Sequence, residues 1–456
     1  MGKESGRLVL GATSVPCVIV VTFLCAAFFV SDIDPFETWK QRSSNWRSVS
    51  ATANGLKQEE PIEFLLRRLV RGEDRIKLEA TGFSCHSDHH TELCVAKKPV
   101  RIDNNALSVY IPGSQAKVKG MIKPYARRED QTAMERVTTV HILPGNSTNL
   151  PPCNFTHDVP AVIFSSGGFT GNLFHEINEI TIPLFLTCRH FRSNLQFVIT
   201  DYKPWWVSKY NRILSHLSRY QPINPAADGS VHCFPGAVIG LVYHENLVIN
   251  STEIPGGYSM FDFKHFLRQS YNLKIKNASE IEKPVLILIS RRKSRRFLNE
   301  NEMVTMMEQL GFRVIVTAPY RMSNLNRFAS VLNSCSVMVG AHGAGLTNEV
   351  FLPDGAVMVQ VVPLGLEWAS ANYYGDPASK MGVKYLEYKI EPEESSLLDK
   401  YGRDHPAIAD PKSIFSQGYS AARAMYVDGQ NLKINVTRFR KIIVEAIKLI
   451  RQSPLK

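Results

Sequence analysis

The hydrophobic pattern divides the chain into three regimes. Leu8 to Val30 is a run of 23 residues without a charge, and about 20 apolar residues suffice for a helix to cross the hydrocarbon core of a bilayer. Pro16 lies inside the run, which a membrane helix tolerates better than a soluble one. Lys3 and Arg7 precede it and Asp32 and Asp34 follow it. The positive-inside rule therefore predicts a cytosolic tail (1–7), a single transmembrane anchor (8–30) and a translocated remainder. A cleaved signal peptide is the rival, but its apolar core is shorter, about 7–15 residues, and Val30-Ser-Asp32 is a poor small-x-small site. Residues 31–80 are polar, with Ser43-Ser-Asn-Trp46, a Thr52-Ala-Asn-Gly55 turn and one amphipathic stretch, Ile62 to Leu69; they read as a stem.

From residue 81 onward, short apolar runs alternate with helical periods. Ala161-Val-Ile-Phe164, then Ser165-Ser-Gly-Gly168, then Asn172 to Ile180 at helical spacing predict strand, tight turn and helix. Leu195 to Ile199 predicts another strand, followed by a helix near Ser208 to Leu217. The second half repeats the theme. Val285–Ile289 is apolar throughout, as a strand buried on both faces should be. A helix over Asn301–Leu310, a strand at Arg313–Thr317, a helix over Arg327–Cys335, and strands at Val337–Val339 and Val357–Val361 follow. Phe439, Ile442, Ile443, Ala446 and Ile450 are spaced for a terminal amphipathic helix within 431–456. Such alternation predicts an α/β chain with two Rossmann-like domains, 81–275 and 282–430, facing a cleft.

Composition narrows the class. With 44% apolar, 21% charged and 10% aromatic residues, the chain is globular rather than disordered. The net charge of +11 is spread along the whole length, with no finger, helix-turn-helix or RNA-binding signature, so no nucleic-acid partner is expected. A basic protein instead suits polyanionic small molecules or acidic polymers. Sequons at Asn146, Asn154, Asn250, Asn277 and Asn435 all follow the anchor, as N-glycosylation of a lumenal body requires. Beyond Cys17 and Cys25 in the anchor, Cys85, Cys94, Cys153, Cys188, Cys233 and Cys335 form an even set suited to an oxidising compartment. Cys85 and Cys94 are close enough to pair, and their spacing does not match a zinc site.

Three loops at predicted strand ends carry the chemistry, because ligands of open α/β sheets bind beyond the carboxyl ends of the strands. Ser290-Arg-Arg-Lys-Ser-Arg-Arg296 has five cations in seven residues; guanidinium forks match phosphate oxygens, so this loop could trap a diphosphate, the bland alternative being a solvated basic loop. Gly340-Ala-His-Gly-Ala-Gly-Leu-Thr-Asn348 lets backbone amides of Gly343, Ala344, Gly345 and Leu346 approach an anion at a helix N-terminus. It lacks the dinucleotide glycine spacing, and His342 reads equally as a ligand donor or as a structural cap. Gly167 to Glu179 places His175 and Glu179 four apart on one helix face, with Glu176 three before Glu179. An imidazole beside a carboxylate suits a general base for an alcohol, against the plain reading of a charged surface helix.

Other catalytic signatures are missing: Gly-x-Ser-x-Gly, His-Glu-x-x-His and a Walker loop do not occur, and the Asp-x-Asp triplet Asp32-Ile-Asp34 sits beside the anchor. A metal-bridged, single-domain sugar transferase is therefore disfavoured, and leaving-group charge falls to arginines and helix N-termini.

The chain resembles plant glycosyltransferase family 61, which includes xylan arabinosyl- and xylosyltransferases. The resemblance runs from about Cys85 to the terminal helix. It is carried by Gly167-Gly-Phe-Thr-Gly-Asn-Leu-Phe-His175, His232-Cys-Phe-Pro-Gly-Ala237, Ser290 to Asn299 and Gly340 to Pro353. Glu387-Tyr-Lys-Ile390, Glu394-Ser-Ser396 and Tyr401-Gly-Arg-Asp-His405 continue it in order. The resemblance implies an inverting GT-B-type enzyme in the Golgi membrane, with a UDP-pentose donor (UDP-xylose or UDP-arabinofuranose), a xylan acceptor, and no cofactor or metal. Because the family also contains protein O-linked N-acetylglucosaminyltransferases, that activity is an alternative, as is a non-catalytic scaffold subunit. In the implied mechanism Arg291, Arg295, Arg296 and the amides of Gly343 to Leu346 hold the UDP. His175, or failing it Glu179 or Glu176, acts as base, and Ser290, Asn299, His342 and Asn348 bind or orient the donor. Where this chain has Glu176 and Glu179, aspartate is common in the family, which keeps the carboxylate.

Overall fold

The computed structural model describes residues 60–112, 120–145, 150–254, 256–317 and 324–452. The anchor (8–30), the stem up to residue 59 and the sequon at Asn146 lie outside them. Among the described residues no helix is long and apolar enough to cross a membrane. Residues 60–80, counted with the stem on their polarity, form two helices, Ile62–Arg67 and Gly72–Thr81. Leu65, Leu66, Leu69, Val70 and Leu78 are all buried in the main core, and burial of each such side chain stabilises by roughly 1.5–3 kcal/mol. This segment is part of the folded body.

The first half opens with β1 (Phe83–Ser87), β2 (Glu92–Ala96), β3 (Val100–Asp103), β4 (Ser108–Pro112), β5 (Gly120–Ile122) and β6 (Val140–Gly145). It continues with β7 (Phe155–Thr156), β8 (Ala161–Ser165), β9 (Gln196–Thr200), β10 (Val231–Phe234) and β11 (Ala237–Ile239). They make two sheets, ordered β1-β2-β11-β8-β9 and β5-β6-β4-β3-β10-β7. Here the structure departs from a plain Rossmann-like unit: only β11, β8 and β9 run parallel in the first sheet, and β2 and β1 add antiparallel to it. The reason lies in how the sheet is covered. Successive strand residues point to opposite faces. Ala161 and Ile163 of β8 pack on Val100, Ile102, Val109, Val140 and Ile142 of the second sheet, whereas Val162 and Phe164 pack among helical Ile177, Ile180, Leu184 and Trp206. One face of the first sheet is thus covered by a second sheet and the other by helices.

The second half follows the predicted elements closely. Strands β12 (Val285–Ile289), β13 (Arg313–Thr317), β14 (Val337–Ala341), β15 (Val357–Val362) and β16 (Lys384–Lys389) form one sheet, ordered β13-β12-β14-β15-β16, and every pair is parallel. Leu286 and Leu288 face helices Glu300–Gln309 and Val436–Arg451 through Met303, Met307, Phe439 and Ile443. Ile287 and Ile289 face helix Leu325–Asn333 through Leu325, Phe328 and Leu332. Helices on both faces of a parallel sheet make this half doubly wound, and the strand order reverses between β12 and β14. The two halves meet through helix Met260–Tyr271, where buried Lys264 donates to Asp354 Oδ1 (2.7 Å) and to the Met381 carbonyl (2.6 Å).

Cys85 and Cys94, directly opposite on β1 and β2, are joined at 2.03 Å. A second bridge, Cys153–Cys233, ties the chain before β7 to β10, while Cys188 and Cys335 are buried thiols. Of the sequon asparagines, Asn154 and Asn435 are exposed and Asn250 and Asn277 half-buried.

Candidate active site

Two clusters form at strand carboxyl ends, one in each half. In the first, β8 ends at Ser165 and the chain turns through Gly167 and Gly168. Gly168 takes φ +57, and a side chain there would run into the Tyr125 ring, 2.4 Å from an ideal Cβ. The following helix begins as one α-turn, Leu173–His175, capped by Asn172 Oδ1 accepting from Phe174 N–H. It widens into a π-turn over Glu176–Thr181 and resumes as α over Ile182–Cys188; π-turns inside helices recur at functional sites.

The plain reading of this helix as a charged surface element is overturned, because both carboxylates have no exposed surface. Their surroundings differ. Glu176 Oε2 accepts from Lys209 Nζ (2.5 Å) and Tyr210 Oη (2.6 Å), and Oε1 from Gly171 N–H (2.9 Å). Both oxygens are engaged in holding the turn. Glu179 Oε2 accepts from Tyr125 Oη (2.6 Å), and Oε1 from Arg127 Nη1 (2.8 Å) and His175 Nδ1 (2.5 Å). Burial alone would raise the Glu179 carboxyl, but the His175 contact, the Tyr125 hydrogen bond and the Arg127 charge outweigh it and hold the pKa below its usual value. Burial beside that carboxylate pushes the Tyr125 phenol well up, so it remains a donor. An ionised Glu179 accepting from Nδ1–H leaves the His175 Nε2 lone pair free. The His175 side chain is 20% exposed, against 0% for Glu179, so of the three candidates it is the one able to meet a substrate. Tyr125 and Arg127 were not anticipated from sequence. Both sit in the irregular Lys123–Asp130 loop, where no periodicity marks them; the signal available was an aromatic beside paired arginines in a short loop.

The second cluster straddles the point where strand order reverses, between the ends of β12 and β14. Of the basic loop after β12, Arg291 and Arg295 turn inward and Arg292, Lys293 and Arg296 are exposed. Arg295 adopts φ +54, with its N–H bound to the Gln430 carbonyl (2.6 Å) and Nη1 to the His342 carbonyl (2.9 Å). Arg291 Nε donates to the Ser294 carbonyl (2.9 Å). Both guanidinia converge on Gly343, at φ +140, where a Cβ would lie 2.6 Å from Arg291 Nη1 and 3.1 Å from Arg295 Nη1. Only glycine fits there. Among the described residues neither arginine forms an ion pair, and Arg295 Nε is buried without a partner. Burial, then the Arg291 charge, pulls Arg295 down to about 10, and burial lowers Arg291 as well; both stay cationic at neutral pH. Two adjacent cations, Arg295 buried and Arg291 half-buried, without an ion pair among the described residues are costly and suit an anionic ligand.

Beyond Gly343 the predicted helix is a 3₁₀ helix, Ala344–Phe351. Its first amides, at Ala344 and Gly345, have no intrahelical acceptor, while Leu346 is wholly buried. Asn348 Nδ2 donates to the Gly345 carbonyl (2.8 Å) and its Oδ1 is buried without a partner. His342 is 7% exposed, and Gln360 Nε2 donates to its Nδ1 (2.9 Å), with Ser370 Oγ 3.2 Å away. Burial first, then Arg295 and Arg291, depresses it to about 3. His342 is a neutral ring held by Gln360 of β15 and by Ser370, which favours the structural alternative. Ser290 is tied to β13 through its N–H and the Thr317 carbonyl (2.9 Å). Asn299 lies apart from the cluster: its amide donates to the Ile434 carbonyl (2.8 Å) and accepts from Ile434 N–H (2.9 Å).

The two clusters adjoin. The turn Leu173–His175 packs on the 3₁₀ helix, and Phe174 meets Tyr373 and Tyr374 of the second half at ring separations of 5.3 and 6.1 Å. The base candidate and the arginine cluster therefore lie on adjoining elements, one from each half.

Residues 146–359 match the family model described as glycosyltransferase 61. An α-1,3-arabinosyltransferase of Oryza sativa subsp. japonica is 41% identical over 370 residues, covering 79% of this chain and 64% of the relative. A xylan glycosyltransferase of Arabidopsis thaliana is 34% identical (82% of this chain, 79% of the relative), and a β-1,2-xylosyltransferase of the same rice is 36% identical (80% of this chain, 83% of the relative). The chain thus spans just under two thirds of the arabinosyltransferase's length. On this similarity the chain belongs to glycosyltransferase family 61.

Proposed function

We propose that the protein is an inverting Golgi glycosyltransferase, anchored by residues 8–30, that moves a pentose, xylose or arabinofuranose, from a UDP-sugar onto xylan or its side chains. The carrying observation is the adjoining pair of clusters: a carboxylate-held imidazole in one half and, in the other, two converging guanidinia that form no ion pair among the described residues. The named activities of the relatives support pentose and xylan. The parallel β11-β8-β9 core of the first half and the doubly wound second half support a GT-B-type frame.

In this reading UDP lies at the reversal point between β12 and β14, its diphosphate against Arg291, Arg295 and the amides at Gly343 to Gly345. The acceptor hydroxyl gives its proton to His175 Nε2 as its oxygen bonds to the anomeric carbon. The bond from that carbon to the diphosphate breaks, and the electron pair leaves on the diphosphate oxygen. Glu179 steadies the imidazolium as it forms, and the two guanidinia steady the UDP. A single displacement, with the acceptor oxygen attacking the face of the anomeric carbon opposite the departing diphosphate, inverts the anomeric centre. Positive charge for the leaving group comes from side chains, so no divalent metal is required.

The test is a screen of UDP-xylose, UDP-arabinofuranose and UDP-N-acetylglucosamine against xylo-oligosaccharides and a hydroxyl-bearing peptide, read by product mass and linkage. Pentose added to xylan is expected. Transfer of N-acetylglucosamine to the peptide, or absence of UDP release from every donor, would overturn the reading.

A further inference from the structure

Trp368 is 69% exposed, an unusual setting for the largest side chain, although single exposed apolar residues are common. Its position is what distinguishes it. It lies in the short helix Glu367–Ser370, just past the carboxyl end of β15 and beside the anion site, where Ser370 reaches His342. From Trp368 a series of edge-on ring contacts leads to the base: Trp368 to Tyr373 at 5.9 Å, Tyr373 to Phe174 at 5.3 Å, Phe174 to His175 at 5.4 Å. Phe169 closes over the His175 ring at 4.6 Å. Tyr373 is half-buried and close enough to Arg127, the partner of Glu179, to be felt electrostatically.

We propose that Trp368 and Tyr373 form an aromatic subsite that stacks a pyranose ring of the acceptor chain beside the hydroxyl deprotonated by His175. This rests on the xylan reading above and names the residues that would recognise the polymer. A pyranose presents a face of C–H groups, polarised slightly positive, and a rim of hydroxyls. The negative face of an indole attracts the first while the rim stays in water. The backbone of the subsite is held independently of sugar, since Asn372 Nδ2 donates to the Trp368 carbonyl (2.8 Å). Tyr419 is more exposed, at 76%, yet among the described residues no ring contact links it to this series, so it serves as a control.

Xylohexaose would be titrated into the UDP-saturated full chain, followed by calorimetry and indole fluorescence, for the wild type, Trp368→Ala, Trp368→Phe and Tyr419→Ala. Trp368→Ala should weaken xylohexaose binding about 10-fold, Trp368→Phe should recover most of it, and Tyr419→Ala should change nothing. UDP affinity and thermal stability should be equal in all four. Wild-type affinity in Trp368→Ala would overturn the subsite and leave the xylan reading intact. Failure of the wild type itself to bind xylohexaose, with UDP still bound, would overturn both.

Discussion

Replacing Glu179 by Gln isolates one electrostatic contribution. The amide oxygen can keep the place of Oε1, still accepting from Arg127 Nη1 and His175 Nδ1, which lie 2.8 and 2.5 Å away in the native protein. The amide nitrogen then faces Tyr125, whose hydroxyl can turn to accept instead of donating. Shape, tautomer and packing survive, and only the charge is lost. When His175 takes the acceptor's proton, its positive charge sits about 4 Å from the carboxylate, an attraction of about 4 kcal/mol at an effective dielectric of about 20. Arg127, bonded to the same oxygen, offsets part of that. A net loss of about 2–4 kcal/mol corresponds to a kcat reduced roughly 30- to 1,000-fold. The comparison is kcat at saturating donor and acceptor, alongside UDP affinity and the unfolding midpoint, both of which should stay near wild type. If Glu179→Gln turns over within threefold of wild type, the carboxylate is not felt in the transition state. The pair with His175 would then be structural and the base would have to be sought elsewhere. Glu179→Ala is a poorer probe: it removes the acceptor shared by Tyr125, His175 and Arg127 and leaves Arg127 only its 3.4 Å pair with Glu129, which confounds packing with chemistry.

Arg291→Ala should raise the dissociation constant for UDP roughly 10- to 100-fold, the weight of one charge-assisted hydrogen bond, while the fold remains; unchanged affinity by calorimetry would remove Arg291 from the donor site. His342 supplies a pH dependence of stability. Its folded pKa, about 3, lies below the unfolded value of about 6.5, so its contribution is complete above that value and is lost as pH falls towards 3. Between pH 7 and pH 5 the loss is about 2 kcal/mol. Urea unfolding of wild type and His342→Gln at both pH values should show a difference in slope of that size, and parallel profiles would contradict a buried neutral ring. Transfer activity should persist in excess EDTA; loss of activity that added manganese restores would show that Arg291 and Arg295 do not suffice for the diphosphate.

What could be read in advance follows from where the information resides. Val285–Ile289 is apolar at every position, and Val357–Val362 at every position but Gln360, because both faces of their sheet are covered, so the runs themselves declare a parallel, doubly wound half. The loops after β12 and β14 were visible for the same reason: they sit where such a sheet binds ligands, and their composition is extreme. The first half was less legible. A face of its parallel sheet rests on a second sheet built from short strands such as β5 and β7, and pairings of that kind depend on residues far apart in the chain. Side-chain roles are subtler still. Five cations occupy Arg291 to Arg296, yet Arg292, Lys293 and Arg296 are exposed while Arg291 and Arg295 turn inward, Arg295 through a left-handed backbone held by Gln430, some 135 residues on. Glu176 and Glu179 are the same residue type three positions apart in one helix. One is consumed by Lys209, Tyr210 and Gly171, and the other is left to orient His175 because Tyr125 and Arg127 reach it from a loop with no periodicity. Local pattern therefore locates a catalytic segment, whereas the choice of base within it is made by neighbours that only tertiary packing supplies.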